Sequence, residues 1–257
     1  MTLTISGVHK SYNGQHVLRG IDLTVEAGEF VSLIGHSGCG KSTLLGAVGG
    51  LVKPEAGVIA VDGVPVTGPG PDRAMVFQSY SLLPRLSLVA NVREAVKASR
   101  PEKGKAWADE MTERYLTAVG LWAHKDKRPS QVSGGMAQRA AVARAFAVGP
   151  RILLLDEPFG ALDALTRARL QAQLIELWGD ESDTETVLMV THGIDEAVLL
   201  ADRVVVMANP PFASVREILD VDIPRPRDRS TIGDHPAWHG VQQRLLEILA
   251  EDSLVAA

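Results

Sequence analysis

Apolar residues fall along this chain in two rhythms, and the change from one to the other lays out the fold. Leu3 to Val8 and Val17 to Val25 alternate apolar and polar positions, the period of half-buried antiparallel strands. Ala27-Gly28-Glu29 is a turn. Phe30, Val31, Leu33 and Ile34 after it read as a buried strand. Gly57 to Val61, Asp62-Gly63 and Val64 to Val66 predict a hairpin, since Asp-Gly supplies the positive φ of a tight turn. Gly68-Pro69-Gly70-Pro71 is loop, and Ala74 to Phe77 is a short strand. From Leu88 to Val119 the pattern is helical, interrupted near Arg100-Pro101, which predicts two helices of an inserted subdomain. Arg128-Pro129 opens a loop ending at Ser133-Gly134-Gly135, and Met136 to Val148 is a third helix.

Ile152 to Leu155 is a continuous apolar run, the mark of a central parallel strand covered on both faces. A helix from about Leu165 to Trp178, the strand Val187 to Val190, the helix Ile194 to Ala201 and the strand Val204 to Met207 follow. This alternation predicts a parallel sheet with ligands at the carboxyl ends of its strands. Beyond Asn209-Pro210-Pro211 lies a tail with Pro224-Arg225-Pro226-Arg227 and a last amphipathic helix, Pro236 to Glu251.

One loop carries chemistry. Gly35-His36-Ser37-Gly38-Cys39-Gly40-Lys41-Ser42 follows a strand, precedes a helix and matches G-x-x-x-x-G-K-[ST], a nucleoside-triphosphate site. Gly35, Gly38 and Gly40 let the backbone curl so that successive N–H groups face one anion. The helix beginning near Lys41 adds its unpaired amides and the positive end of its dipole. Lys41 supplies a point charge for the β- and γ-phosphates, and the Ser42 hydroxyl is placed for Mg²⁺. Asp156 ends a strand that would deliver a carboxylate to that Mg²⁺, and Glu157 is placed to orient or deprotonate an attacking water. His192 closes the next strand and is expected on the same edge, in reach of the γ-phosphate. Ser133-Gly134-Gly135 is a second glycine turn into a helix, hence a second phosphate-capable site. Two copies facing each other could pair Lys41 of one with Ser133 of the other.

Composition narrows the setting. The 257 residues are 46% apolar and 22% charged, with a net charge of −5 that argues against a nucleic-acid partner. No apolar run nears the ~18 residues of a membrane span. Met1 to His9 lacks the pattern of a signal peptide. Cys39 is the only cysteine, which fits a reducing compartment.

These motifs, in this order, resemble the nucleotide-binding subunit of an ABC transporter over nearly the whole chain. Gly35 to Thr43 is similar to the Walker A loop, Gln78 to the Q-loop and Val132 to Gln138 to the signature. Ile152 to Asp156 with Glu157 resembles Walker B, and Ala161-Leu162-Asp163 and His192 the D- and H-loops. The resemblance implies an α/β fold: a P-loop NTPase core with a mixed central sheet, an antiparallel β subdomain and an inserted α-helical subdomain. The expected division is 1–87 for the β subdomain and first part of the core, and 88–150 for the helical subdomain. Residues 151–212 complete the core, and 213–257 form a C-terminal tail. It implies ATP and Mg²⁺ as ligands, with Glu157, His192 and Gln78 catalytic and Ser42, Gln78 and Asp156 on the metal. Tyr12 matches the aromatic that stacks on adenine. Ser133, Gly134 and Gly135 would complete a partner's nucleotide site. The chain departs from the family at Val132, where Leu is usual, and at Ala137, where a polar residue is. It departs again at Gly193, where an Asp normally braces the switch histidine.

The implied partners are a second ATPase subunit, identical or related, and membrane permease subunits docking near Gln78 to Ala90, where Leu82, Leu83, Leu86 and Leu88 crowd around Pro84. A solute-binding protein would be an indirect partner, and the chain would lie peripherally on the cytoplasmic side of the bacterial inner membrane. Gly68 to Arg73 and Gln78 to Pro84 resemble nitrate, sulfonate and taurine importers, and the tail from Ile223 to Arg227 with His235-Pro236 resembles the nitrate members most. The expectation is therefore an ATPase powering import of a small anion, nitrate or nitrite ahead of sulfonate or taurine. A regulatory nucleotide binder without hydrolysis is the rival of a different class, and Glu157 and His192 argue against it. Cys39, near a helix N-terminus and Lys41, is expected to be a readily alkylated thiolate that MgATP protects. His235 and His239 have i, i+4 spacing but no evident third ligand for Zn²⁺.

Overall fold

The structure is a computed structural model that describes residues 1–179, 182–209, 213–225 and 227–255. Pro210, Pro211 and Pro226, part of the tail pattern noted above, lie outside the described residues. In chain order the elements are β1 (Leu3–Tyr12), β2 (Gln15–Val25), β3 (Phe30–Ile34), α1 (Lys41–Val48), β4 (Ala56–Val61), β5 (Val64–Pro65) and β6 (Arg73–Val76). The helices α2 (Leu88–Ser99), α3 (Gly104–Ala118) and α4 (Gly134–Ala147) follow. Then come β7 (Ile152–Asp156), α5 (Ala164–Leu177), β8 (Thr186–Val190), α6 (Ile194–Leu200), β9 (Arg203–Met207), β10 (Val215–Asp220) and α7 (Pro236–Val255).

The chain divides into two compact units, Met1–Gly70 with Glu185–Ala257, and Pro71–Thr184. In the first, β2-β1-β4-β5 is an antiparallel sheet. A second, mixed run places β3 parallel to both β8 and β9, with β10 antiparallel to β9. Every residue of β3 and β8 is buried, as expected of strands covered on both faces. β10 is an addition to the sequence reading, which left these residues in the tail.

In the second unit β6 runs parallel to β7, with Val76 opposite Leu155, and α2, α3 and α4 pack on one another. The Ser87 hydroxyl caps α2 by accepting from the Ala90 amide at 3.3 Å. Asn91, 2% exposed, staples the segment before that helix. Its side-chain oxygen accepts from the Leu83 amide at 2.7 Å, and its nitrogen donates to the carbonyls of Leu83, Leu86 and Ser87. Of the four leucines, Leu88 is fully buried, Leu82 and Leu86 are half-buried, and Leu83 is 55% exposed.

The tail is fastened by Arg227. Its buried guanidinium donates to the carbonyls of Val198 and Ala201 at the end of α6 and to those of Val221 and Ile223, and it pairs with Asp202. Burial holds its pKa below the usual guanidinium value, against the raising effect of Asp202. Among the described residues no helix is long and apolar enough to cross a membrane.

Candidate functional site

The first unit carries the glycine loop, His192 and Tyr12. The loop leaves β3 at Gly35 and enters α1 at Lys41, with Gly38 at φ 84° and Gly40 at φ 96°, left-handed conformations that favour glycine. A β-carbon on Gly35 would stand 2.7 Å from the Met207 carbonyl oxygen and 2.8 Å from the Cys39 sulfur, so the loop's entry tolerates no side chain. α1 has no side-chain cap and no acidic residue in its first turn. Its N-terminal amides are therefore suited to an anion. Lys41, 5% exposed, curls over the loop and donates to the carbonyls of Gly35 at 2.7 Å and His36 at 2.9 Å. Ser37, Gly38 and Ser42 face solvent, while Thr43 is half-buried. These residues fit a nucleoside triphosphate: amides, a held ammonium and an exposed hydroxyl in one loop.

Cys39 corrects an expectation. The thiol is fully buried, pointing beneath the loop toward Gly35 rather than into its mouth. Burial raises its pKa and outweighs the lowering by Lys41, so the residue is a protonated thiol instead of a reactive thiolate. Spacing from a helix N-terminus could not reveal which way the side chain turns.

His192 is exposed just past β8, where the Thr191 amide still donates to the Leu33 carbonyl of β3, so it shares the strand edge from which the glycine loop departs. Gly193 does not leave this turn slack. The Gly193 amide donates to the Thr191 hydroxyl at 3.0 Å, and that hydroxyl donates to Glu196 Oε2 at 2.6 Å. A β-carbon at residue 193 would come within 3.0 Å of the Glu196 side chain. Glu196, which the sequence alone did not single out, holds this turn through the Thr191 hydroxyl. Tyr12 ends β1 with 46% exposure and has Lys10 Nζ 5.2 Å from its ring centre.

The second unit carries the other named residues. β6 and β7 run side by side, so Gln78 and Glu157, each just beyond its strand, meet: Gln78 Nε2 donates to Glu157 Oε2 at 2.9 Å. Glu157 has φ 46°, an uncommon conformation for a non-glycine residue and one that recurs at active sites. Asp156 is the half-buried last residue of β7. Ser133 caps α4, its hydroxyl accepting from the Met136 amide at 3.3 Å. Gly134 and Gly135 are confined from their own chain: β-carbons there would stand 2.5 Å from Tyr80 Oη and 2.7 Å from Thr166 Cγ2. Asp163 caps α5 through the amides of Leu165 and Thr166. Bonding to Thr166 holds its carboxyl below the usual range. His235 Nδ1 accepts from the Ala237 amide at 3.2 Å at the start of α7.

Residues 18–160 match the family described as ABC transporter. The chain belongs to that family. As a member it binds ATP and is an ATPase coupled to transport. This ABC ATPase chain is 48% identical over 251 residues to the bicarbonate transport ATP-binding protein CmpD of Synechocystis sp., covering 96% of itself and 88% of that protein. It is also 48% identical over 229 residues to the nitrate import ATP-binding protein NrtD of Synechococcus elongatus, covering 89% of itself and 83% of the relative. A solved structure of an ATP-binding cassette, dimeric in a post-hydrolysis state with ADP and Pi, superposes with a TM-score of 0.76. It is 30% identical, and the match covers 86% of this chain and all of that one.

Proposed function

We propose that this ABC ATPase powers a membrane importer for a small planar oxyanion, nitrate or nitrite first. The observation that carries the reading is the 48% identity, over most of both chains, to a nitrate import ATP-binding protein. Bicarbonate is the second reading, favoured by equal identity to a bicarbonate transport protein. Nitrate and bicarbonate are both singly charged trigonal oxyanions, unlike the tetrahedral sulfonate group of taurine. Isothermal titration of the co-purifying solute-binding protein tests the reading: nitrate or bicarbonate should bind, and binding of taurine alone would overturn it.

In this reading the amides of Gly35 to Thr43 wrap the triphosphate and Lys41 neutralises its β and γ groups. Ser42, Asp156 and Gln78 would hold Mg²⁺, which spreads the charge of the phosphate oxygens. Glu157 takes the proton of the attacking water, His192 contacts the γ-phosphate and Tyr12 stacks on adenine. Ser133, Gly134 and Gly135 serve the nucleotide of a partner ATPase chain, a second copy or a relative, and the dimeric cassette cited above supports such a pairing. The Gln78 to Ala90 segment, with Leu83 exposed, is the docking surface for a permease, so the chain works peripherally at the cytoplasmic face of the bacterial inner membrane. A solute-binding protein delivers the anion to that permease.

A further inference from the structure

The phosphate loop is held from outside by the far end of the chain. His36, half-buried, meets the Leu249 carbonyl of α7 with its Nε2 at 2.9 Å. A carbonyl only accepts, so Nε2 is the donor in this bond. α7 is anchored one turn further on. Asp252, 2% exposed, accepts from the Asn209 amide at 2.9 Å and from Arg216 Nη1 at 3.2 Å. Arg216 also reaches Glu251 at 2.7 Å, and Leu245 and Ile248 are fully buried.

Asn209 lies just past β9, and the Met207 carbonyl at the end of that strand is the group that crowds Gly35. The contacts therefore close a ring. Gly35 rests on the end of β9, the end of β9 is bonded to Asp252, and Leu249 takes His36. The side chain of His36 is turned toward α7, while phosphates would be held by backbone amides and Lys41.

We propose that α7 braces the phosphate loop and that His36 is the positioning residue through which docking of this helix sets ATP affinity. The proposal rests on ATP binding at this loop. Coupling of this kind is reciprocal: ATP that favours the braced loop tightens α7 by the same factor.

The test uses the full chain with His36→Ala, His36→Gln and Arg216→Ala. His36→Ala should raise the KM for ATP about fivefold, the worth of one neutral hydrogen bond, with kcat changed less than about twofold. His36→Gln keeps an N–H donor and should recover most of the loss. Arg216→Ala, which releases Asp252 and Glu251, should reproduce the KM effect. Hydrogen exchange across residues 245–252 should slow on ATP binding in the parent chain and not in His36→Ala. Cys39 should react several-fold faster with a thiol reagent in both alanine variants. That reading needs no nucleotide, so it separates a failed brace from a failed nucleotide assignment. Unchanged Cys39 reactivity, or a parental KM in both alanine variants, overturns the proposal.

Discussion

Glu157 stands at φ 46° with its carboxylate on the Gln78 amide, and Glu196 accepts from the Thr191 hydroxyl next to His192. Both are single side chains that fix a turn. A non-glycine residue in the left-handed region costs about 1–3 kcal/mol, so the fold around β7 must stabilise that backbone. At the histidine turn a side chain at 193 would press on Glu196, which would have to shift to admit it. Glu196→Ala should loosen His192 and lower kcat several-fold, with the KM for ATP nearly unchanged. Gly193→Asp in the same chain should restore turnover, because the room vacated by Glu196 admits the Asp usual in the family. Steady-state kinetics decide it, and a double variant no faster than Glu196→Ala would remove the bracing role. Cys39 gives a second residue-scale expectation. Being buried and protonated, it should take hours to label with maleimide in the native chain and seconds after unfolding. Prompt native labelling would contradict this geometry.

Among the elements, the tail rests on one arginine. Arg227 joins four carbonyls and Asp202, and Arg227→Met would leave these acceptors and a carboxylate without it. Leaving buried carbonyls without their donor costs about 1–3 kcal/mol, so the denaturant midpoint should fall clearly while the slope stays the same. A change under about 0.5 kcal/mol would show that the contacts are incidental. Elements differed in how plainly the sequence announced them. β7 and β8 were legible because strands covered on both faces are apolar throughout. β10 was not, because its alternation breaks at the middle pair. Glu217 lies on the half-buried face, paired to Arg244 at 2.7 Å, whereas Ile218 is 38% exposed. The glycine loop was legible residue by residue, since phosphate binding needs those residue types in that order. The Asn91 staple, the Glu196 brace and the inward turn of Cys39 were not, because each depends on side-chain direction and on neighbours distant in space.

For the whole molecule, the named residues are shared between two units. Gly35 to Thr43, Tyr12 and His192 belong to one, and Gln78, Ser133 to Gly135, Asp156 and Glu157 to the other. The proposal that Ser133 serves a partner's nucleotide needs a variant that spares the fold. A side chain at Gly135 would press on Thr166, so the cleaner choice is Ser133→Asp. Aspartate caps a helix as well as serine does, and α4 should keep its start. Its charge would repel a partner's γ-phosphate in a partly dry interface.

The most direct measurement is light scattering on Glu157→Gln with MgATP, alone and combined with Ser133→Asp. If Glu157 takes the proton of the attacking water as proposed, its loss should slow hydrolysis on the order of 100-fold or more while ATP stays bound. Glu157→Gln is then expected to run as a stable dimer holding two ATP molecules, and the double variant as a monomer that still binds ATP. A Glu157→Gln chain that stays monomeric at saturating ATP, or that hydrolyses ATP at the parental rate, would contradict the account.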